Sequence, residues 1–405
     1  MNFKRIKFCR ICKSRYLYEY LDLGDQPLSN SFLRKKDINN EKKFPLKILF
    51  CKKCYLSQLS IVVNPKLMFT DYDYLSSSSH ALKIHYKNLV RYMEKKFHLL
   101  KDDLMVDIGC NDGILLNNFS SNFKNLVGVE PSNASNYITD KRIILYNNFF
   151  SKKISLKIKK DFKKAKIISM TNVFAHVHEI NLLLKNIRAL LLEDGVFVIE
   201  VPYLFDMLKK GLFDVIYHEH LSYFSAHSLL KLLKKNYLKI IDIKKINFGA
   251  SGPALRVFIS HEKNKFKQND NLEKILNLEK QNGISKLITY KKFNEKVKLI
   301  KENTKSKIYR LKQKGNQIAC YTAPAKGNTF LNYLSLKKGT IMCVSENNKK
   351  KIGKFTPGTH IKIVDDNYLI KNKIKYAILL SWNYKKFFLK KSKFIKNGGK
   401  FIIPF

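Results

Sequence analysis

From Leu104 onward the chain repeats one local pattern: a short apolar run, a turn carrying Gly, then a stretch of helical periodicity. LMVDIG, NLVGVEP, KIISMTNV and GVFVIEVP are successive runs of this kind, short and rich in β-branched residues, as buried strands are. Strands that alternate with helices pair in parallel, because a parallel connection needs a crossover and the helix supplies it. The pattern therefore commits the middle of the chain to a parallel α/β sheet. Residues 226–246 (AHSLLKLLKKNYLKIIDIKKI) read as a helix and a strand, and SGPALRVFIS as a further strand. Residues 262–312 are Lys-rich with helical periodicity and are expected to form a long, largely exposed helical connection. The alternation then restarts, with QIACYTA a strand, AKGNTFLNYL a loop and helix, and TIMCVSE and YAILLSW strands. The last third is thus expected to be a second, smaller Rossmann-like α/β domain.

The first 68 or so residues differ, being short, turn-rich and strand-like. They hold Cys9-x-x-Cys12 and Cys51-x-x-Cys54. Each pair sits on a tight turn that can aim both sulfurs at one point, so four thiolates can occupy the corners of a tetrahedron, and zinc is the natural occupant. Four Cys ligands leave no open position, so the site reads as structural; the competing reading is unrelated thiols or a redox pair. The remaining cysteines, Cys110, Cys320 and Cys343, make an odd total in a chain without a secretion signal, which argues against a disulfide framework. The expected organisation is a zinc-binding module at 1–68, an α/β domain at 69–250 and a smaller α/β domain at 251–405.

The 77 basic and 32 acidic residues give a formal charge of +45. Only nine of the basic residues are Arg, and the Lys residues spread over the whole chain. Bidentate phosphate and base recognition prefers Arg, so the excess reads as solvated faces with attraction for anionic substrates, and nucleic acid is not expected as the primary partner. No apolar run is long enough for a membrane helix, and the first residues, MNFKRIKFCRICKS, lack a signal peptide's apolar stretch. The expectation is a cytoplasmic protein without a membrane partner, monomeric or weakly oligomeric.

Two constellations carry chemistry. In LMVDIGCNDGILL, Gly109 and Gly113 stand where a strand is expected to turn into a helix, with Asp107 just before the turn. Gly lets a ligand approach the backbone, and a helix N-terminus stabilises a carboxylate or phosphate. The next strand, NLVGVEP, ends in Glu130, placed to accept from both ribose hydroxyls. A dinucleotide fold would show Gly-x-Gly-x-x-Gly; Asp-x-Gly-x-x-x-Gly with an acidic second strand fits S-adenosylmethionine better. The second constellation is NVFAHVHE, with His176 and His178, followed by YHEHLSYFS, with Tyr217, His218, Glu219, His220 and Tyr223. Such a cluster after a sheet strand is a candidate for general acid–base work. The alternative is a metal held by His218 and His220.

Together these motifs resemble a known family, the three-domain nucleotide-sugar C-methyltransferases of deoxysugar biosynthesis. The resemblance runs from CRICKS and LDLGDQPLSNSF through FCKKC, YDYLSSSS, VDIGCNDGILL, GVEPS, NVFAHV and YHEHLSYFS to YTAPAKGNTFLNY, TPGTHI, SWNY and GGKFIIP. It implies a zinc module, a central class I methyl-donor domain and a C-terminal domain that helps hold the nucleotide of a nucleotide-diphosphate sugar. It also implies methylation of a carbon beside a ketone, commonly in a 4-keto-6-deoxy sugar. By motif match the base is His220, with Tyr217 and Glu219 as relay or orienting groups and His176 near the keto oxygen. Either Tyr72 or Tyr74 is an active-site tyrosine, and Arg256 is a substrate contact. Asp107, Gly109, Asn111, Asp112, Gly113, Glu130, Pro131 and Asn172 match the methyl-donor set. Lys326, Gly327, Asn328, His360 and Asn383 are candidates for pyrophosphate, sugar or nucleotide. The chain departs from the family at Cys110, where many relatives have Ser, and in SGPALRVF, where Pro253 enters a usual Gly-Gly-Ser-x-Arg loop. The rival functions are transfer to oxygen or another small acceptor, and non-catalytic nucleotide-sugar or nucleic-acid binding on the same scaffold.

Overall fold

The computed structural model describes residues 2–70, 74–247 and 252–405. Tyr72 lies outside the described residues.

The N-terminal module holds β1 (Phe3–Arg5), β2 (Leu17–Pro27), β3 (Lys43–Cys51), β4 (Ser57–Leu59) and β5 (Ile61–Val63). β2, β3 and β4 form an antiparallel sheet, and β1 pairs with β5. In β3 the residues Phe44, Leu46, Ile48 and Phe50 recur every second position and are buried, the period of a strand with one face on a core. Phe50 stacks on Tyr290 with centroids 4.0 Å apart, and Tyr20 meets the same ring edge-on at 5.0 Å. Tyr290 lies on the helix Leu287–Gln313, whose Tyr290, Phe293, Val297, Thr304 and Ile308 are buried. The connection expected to be largely exposed is therefore a strut with one apolar face against the first module.

The central sheet contains β6 (Met105–Ile108), β7 (Leu126–Val129), β8 (Ile143–Tyr146), β9 (Ala165–Thr171) and β10 (Leu191–Pro202), then β12 (Leu238–Ile246) and β13 (Ala254–His261). Its order is β12-β13-β10-β9-β6-β7-β8, with β13 antiparallel to both neighbours and the strands from β10 to β8 parallel. The expected boundary at 250/251 thus falls between two paired strands of one sheet. Leu255, Val257, Phe258 and Ile259 are fully buried, so this strand needs cover on both faces, and only the interior of the sheet provides it. The short β11 (Ser222–Tyr223) leaves this domain and pairs with β4 of the first module.

The C-terminal sheet is all-parallel, β14 (Ile318–Tyr321), β15 (Val344–Ser345), β16 (Ile363–Val364), β17 (Tyr376–Leu379) and β18 (Lys400–Ile402), ordered β16-β15-β14-β17-β18. In such open sheets a crevice forms at the carboxyl ends of the strands where the order reverses. Here the reversals fall between β6 and β9 and between β14 and β17. No helix among the described residues is long and apolar enough to cross a membrane.

Candidate active site

The four cysteines of the first module converge: their Sγ atoms lie within 4.8 Å of one another, with Cys9 to Cys54 at 3.3 Å and Cys12 to Cys51 at 3.5 Å. Zn–S bonds of about 2.3 Å in a tetrahedron require sulfurs roughly 3.8 Å apart, so the set fits zinc. Each turn closes the same way: Lys13 and Tyr55, at positive φ, donate their backbone N–H to the carbonyls of Cys9 and Cys51. The tips are tied to the central domain, since Asn181 Nδ2 donates to the carbonyls of Arg10 and Ile11.

At the β6/β9 reversal, Gly109 (φ +73°) and Gly113 (φ +78°) make the expected sharp turn. A Cβ at Gly109 would come 2.5 Å from Val173, so the close approach there is to the exit of β9. Both Glu130 oxygens are held, Oε2 by Asn111 N–H and Oε1 by Ser132 N–H, each at 2.9 Å. Asp107 accepts from Ser169 Oγ at 2.6 Å, and burial pushes its carboxyl up to about 7. Pro131 follows Glu130 out of β7, and Asn172 leaves β9 at φ +61° with its N–H on the Glu200 carbonyl. The expected helix after the turn is absent: residues 116–118 form one 3-10 turn. The reason is local, because Asn118 Nδ2 takes the Ile114 carbonyl at 2.7 Å that the next α-helical turn would have used. The segment after residue 73 lies across the Gly turn instead, with Ser76 and Ser77 donating their N–H groups to Asn111 Oδ1 and Asp112 Oδ2. Asp112 Oδ1 is buried and has no partner among the described residues, a polar atom facing the turn that a bound methyl donor could satisfy.

The acid–base cluster lies beside this crevice. His220 Nδ1 is 2.9 Å from the Val215 carbonyl, which can only accept, so Nδ1 carries the hydrogen and Nε2 the lone pair. Nε2 in turn accepts from the Tyr217 hydroxyl at 3.0 Å. Burial pushes the imidazole down to about 4, so it is neutral at physiological pH. His176 stacks between His220 (5.2 Å) and Phe69 (5.4 Å), and burial, with His220 adding to it, holds it well below the ordinary histidine range. Its Nε2 is buried without a partner among the described residues. Tyr74 joins the parts: burial first, then Tyr384, Tyr86, Asp112 and Tyr217, push its hydroxyl well above the usual tyrosine range. His218 turns the other way, toward the Pro45 carbonyl and the edge of Phe44, so it forms no chelate with His220. Glu219 faces the first module, accepting from Asn30 Nδ2 at 2.6 Å.

At the β14/β17 reversal, Lys326, Gly327 and Asn328 lie in the first turns of the helix Ala325–Leu334 rather than in a loop. Lys326 is buried, donates to Asn383 Oδ1 at 2.6 Å and lies 3.9 Å from the Trp382 ring centre. Trp382 Nε1 donates to Asp214 Oδ2 at 2.6 Å. Burial lowers Lys326 to about 8 and raises Asp214 to about 6, each offset in part by the other's charge. Asn383 Nδ2 and Asp214 Oδ1 are buried without partners among the described residues, leaving one donor and one acceptor in the crevice. Gly327 is small because Leu380 packs where its Cβ would be, 2.9 Å away. Asn328 donates to the Ser29 carbonyl, and His360, with Gly358 N–H, holds the Glu41 carboxylate. Arg256 faces Glu200 across the β10–β13 ladder, bonding it at 2.6 Å with His85 in contact with both.

Sequence reasoning missed Asn30, Asp214 and Trp382. Asn30 and Trp382 stand inside the quoted motifs LDLGDQPLSNSF and SWNY; Asp214 precedes YHEHLSYFS with no signal of its own.

Three family models match: a zinc binding domain over residues 9–69, a methyltransferase domain over 85–243 and a C-methyltransferase C-terminal domain over 249–405. With the four-cysteine centre and the sheet order of the central domain, they define an S-adenosylmethionine-dependent methyltransferase with a zinc-binding module. C-methyltransferase NovU of Streptomyces niveus is 30% identical over 399 residues, covering 98% of this chain and 94% of that protein. The chain belongs to this C-methyltransferase family. Methyltransferase structures from Anabaena variabilis (16% identity, TM-score 0.36) and Clostridium acetobutylicum (13%, 0.33) overlay loosely on 44% of the chain, covering 85% and 92% of their own.

Proposed function

We propose that this enzyme methylates the carbon beside the ketone of a nucleotide-activated 4-keto-6-deoxy sugar. The observation that carries the reading is the buried Tyr217–His220 pair: a neutral imidazole with its Nε2 lone pair on a tyrosine hydroxyl, beside the open Nε2 of His176. A carbon next to a carbonyl becomes nucleophilic only when its proton is removed, which takes a base and a partner for the enolate oxygen. His220 Nε2 takes that proton, directly or through the Tyr217 hydroxyl, and the His176 ring faces the oxygen that gains charge. Asn111, Asp112, Glu130 and Asn172, at the β6/β9 reversal, would hold S-adenosylmethionine, which would supply an electrophilic methyl group. The C–H bond breaks with its electron pair left on the enolate and its proton on His220, and the carbon is then nucleophilic toward the methyl group that the bound donor would supply.

The β14/β17 crevice supports a nucleoside diphosphate. Lys326 offers an ammonium to phosphate oxygens, Asn383 a free N–H and Trp382 an aromatic face for a base. Tyr74, within electrostatic reach of Asp112, Tyr217 and Tyr384, supports one substrate spanning both crevices. The test is turnover of thymidine-, cytidine- and guanosine-diphosphate 4-keto-6-deoxy sugars, read by mass spectrometry and carbon NMR. A methyl group on carbon from one series supports the reading; donor binding with no methylation across the panel overturns it.

A further inference from the structure

The residues that carry the base are not held by the central domain alone. β11 (Ser222–Tyr223) comes directly after Leu221, next to His220, and pairs antiparallel with β4, Ser222 opposite Gln58 and Tyr223 opposite Ser57. Just before it, the Leu221 carbonyl accepts from Leu59 N–H at 3.1 Å. The first module therefore grips this segment by its main chain. It also reaches the segment from a second loop: Asn30, 189 residues earlier, donates its Nδ2–H to Glu219 Oε1 at 2.6 Å. Glu219 is 4% exposed, and a carboxylate that deep needs donors to hold it in place. The loop carrying Asn30 is itself anchored on the third domain. Ser29 Oγ lies 3.2 Å from Thr329 Oγ1, and the Ser29 carbonyl accepts from Asn328 Nδ2 at 2.7 Å.

We propose that Asn30 is a positioning residue for the reaction: its amide fixes the Glu219 carboxylate, and through Glu219 the register of the Tyr217–His220 pair, so the zinc-binding module completes the active site. The inference rests on the reading of His220 as the base. Asn30 touches neither reacting atom; it acts through Glu219, and a displacement of about 1 Å at a base is enough to cost on the order of a hundredfold in rate.

The experiment is a double-mutant cycle on the full-length zinc-loaded enzyme, with the three 4-keto-6-deoxy sugar nucleotides as probes and kcat and KM measured separately. Asn30→Ala is expected to lower kcat by roughly 10- to 100-fold while zinc content, melting temperature and S-adenosylmethionine affinity stay at wild-type values. N30D, which keeps the shape but replaces the donor with an acceptor, is expected to be at least as slow. In a Glu219→Ala background, N30A should cost less than about twofold more, because both changes remove one interaction. Independent, multiplying effects of N30A and E219A, or wild-type kcat in N30D, would overturn the proposal. Its failure is separable from that of the reading beneath it: if His220→Ala keeps turnover, the base assignment falls and this falls with it. If H220A is inactive and N30A turns over like wild type, only the role of Asn30 falls.

Discussion

In the proposed reaction His220 is the base, a role it can fill only when neutral, and its environment fixes when that is so. Burial lowers the imidazole from 6.5 to about 4, so the uncharged form persists at every pH above that value. The acid limb of kcat should therefore fall well below pH 6.5, near 4 to 5, and a limb at 6.5 in a pH–rate profile would contradict the buried geometry. Lys326 shows the opposite sign: in the proposed phosphate site it acts as an ammonium, and burial brings its loss of charge down from 10.5 to about 8. KM for the sugar nucleotide should rise above pH 8 while kcat is less affected; a KM flat to pH 10 would remove Lys326 from the phosphate site. Tyr217→Phe deletes the hydroxyl bonded to Nε2 and should lower kcat by about 10²- to 10⁴-fold. Tyr217 and His220 were legible in the sequence because Tyr, His and Glu cluster there within a few residues, and His176 because His178 follows it in a second, separate motif. Asn30 and Asp214 were not, because an amide or a carboxylate has no local signature and their partners lie 189 and 168 residues away.

At the scale of elements, strands were legible and the segments after them less so. Apolar runs such as MVDI, LVGV and IISM announce themselves by being buried throughout. The turn at Gly109 was legible too, yet the helix expected behind it gives way to Asn118, whose side chain takes a carbonyl the helix needed. The surface of the helix Leu287–Gln313 hid its role in the same way, since most of its Lys residues are exposed and five residues face the core. Gly109→Ala would combine a strained φ of +73° with a Cβ 2.5 Å from Val173. It should cost about 1–3 kcal/mol of stability, visible as a lowered melting temperature. Val173→Ala in the same chain should recover part of that loss; no recovery would mean that backbone strain alone is responsible.

Across the whole molecule, the crevices proposed for the methyl donor and for the nucleotide stand at two sheet reversals, and the zinc module pins the segment between them. β11 is a strand of the first module's sheet although it comes after most of the central domain in sequence, an arrangement no local pattern could announce. The module's fold is expected to depend on its metal, because four thiolates brought this close without a cation repel one another when ionised. Zinc removal by a strong chelator should therefore abolish methyl transfer although no zinc ligand touches the acid–base cluster. S-adenosylmethionine binding, measured by calorimetry, should survive in part. Full activity in metal-free protein would contradict the coupling of module and site.

The most direct test of the central claim is hydrogen exchange at the carbon beside the ketone, measured by mass spectrometry and NMR in deuterated water without S-adenosylmethionine. The wild-type enzyme should wash deuterium into that carbon of one 4-keto-6-deoxy sugar nucleotide, His220→Ala should not, and added S-adenosylmethionine should then place a methyl group on the same carbon. Exchange that persists in H220A, or a methyl group bonded to oxygen, would contradict the account.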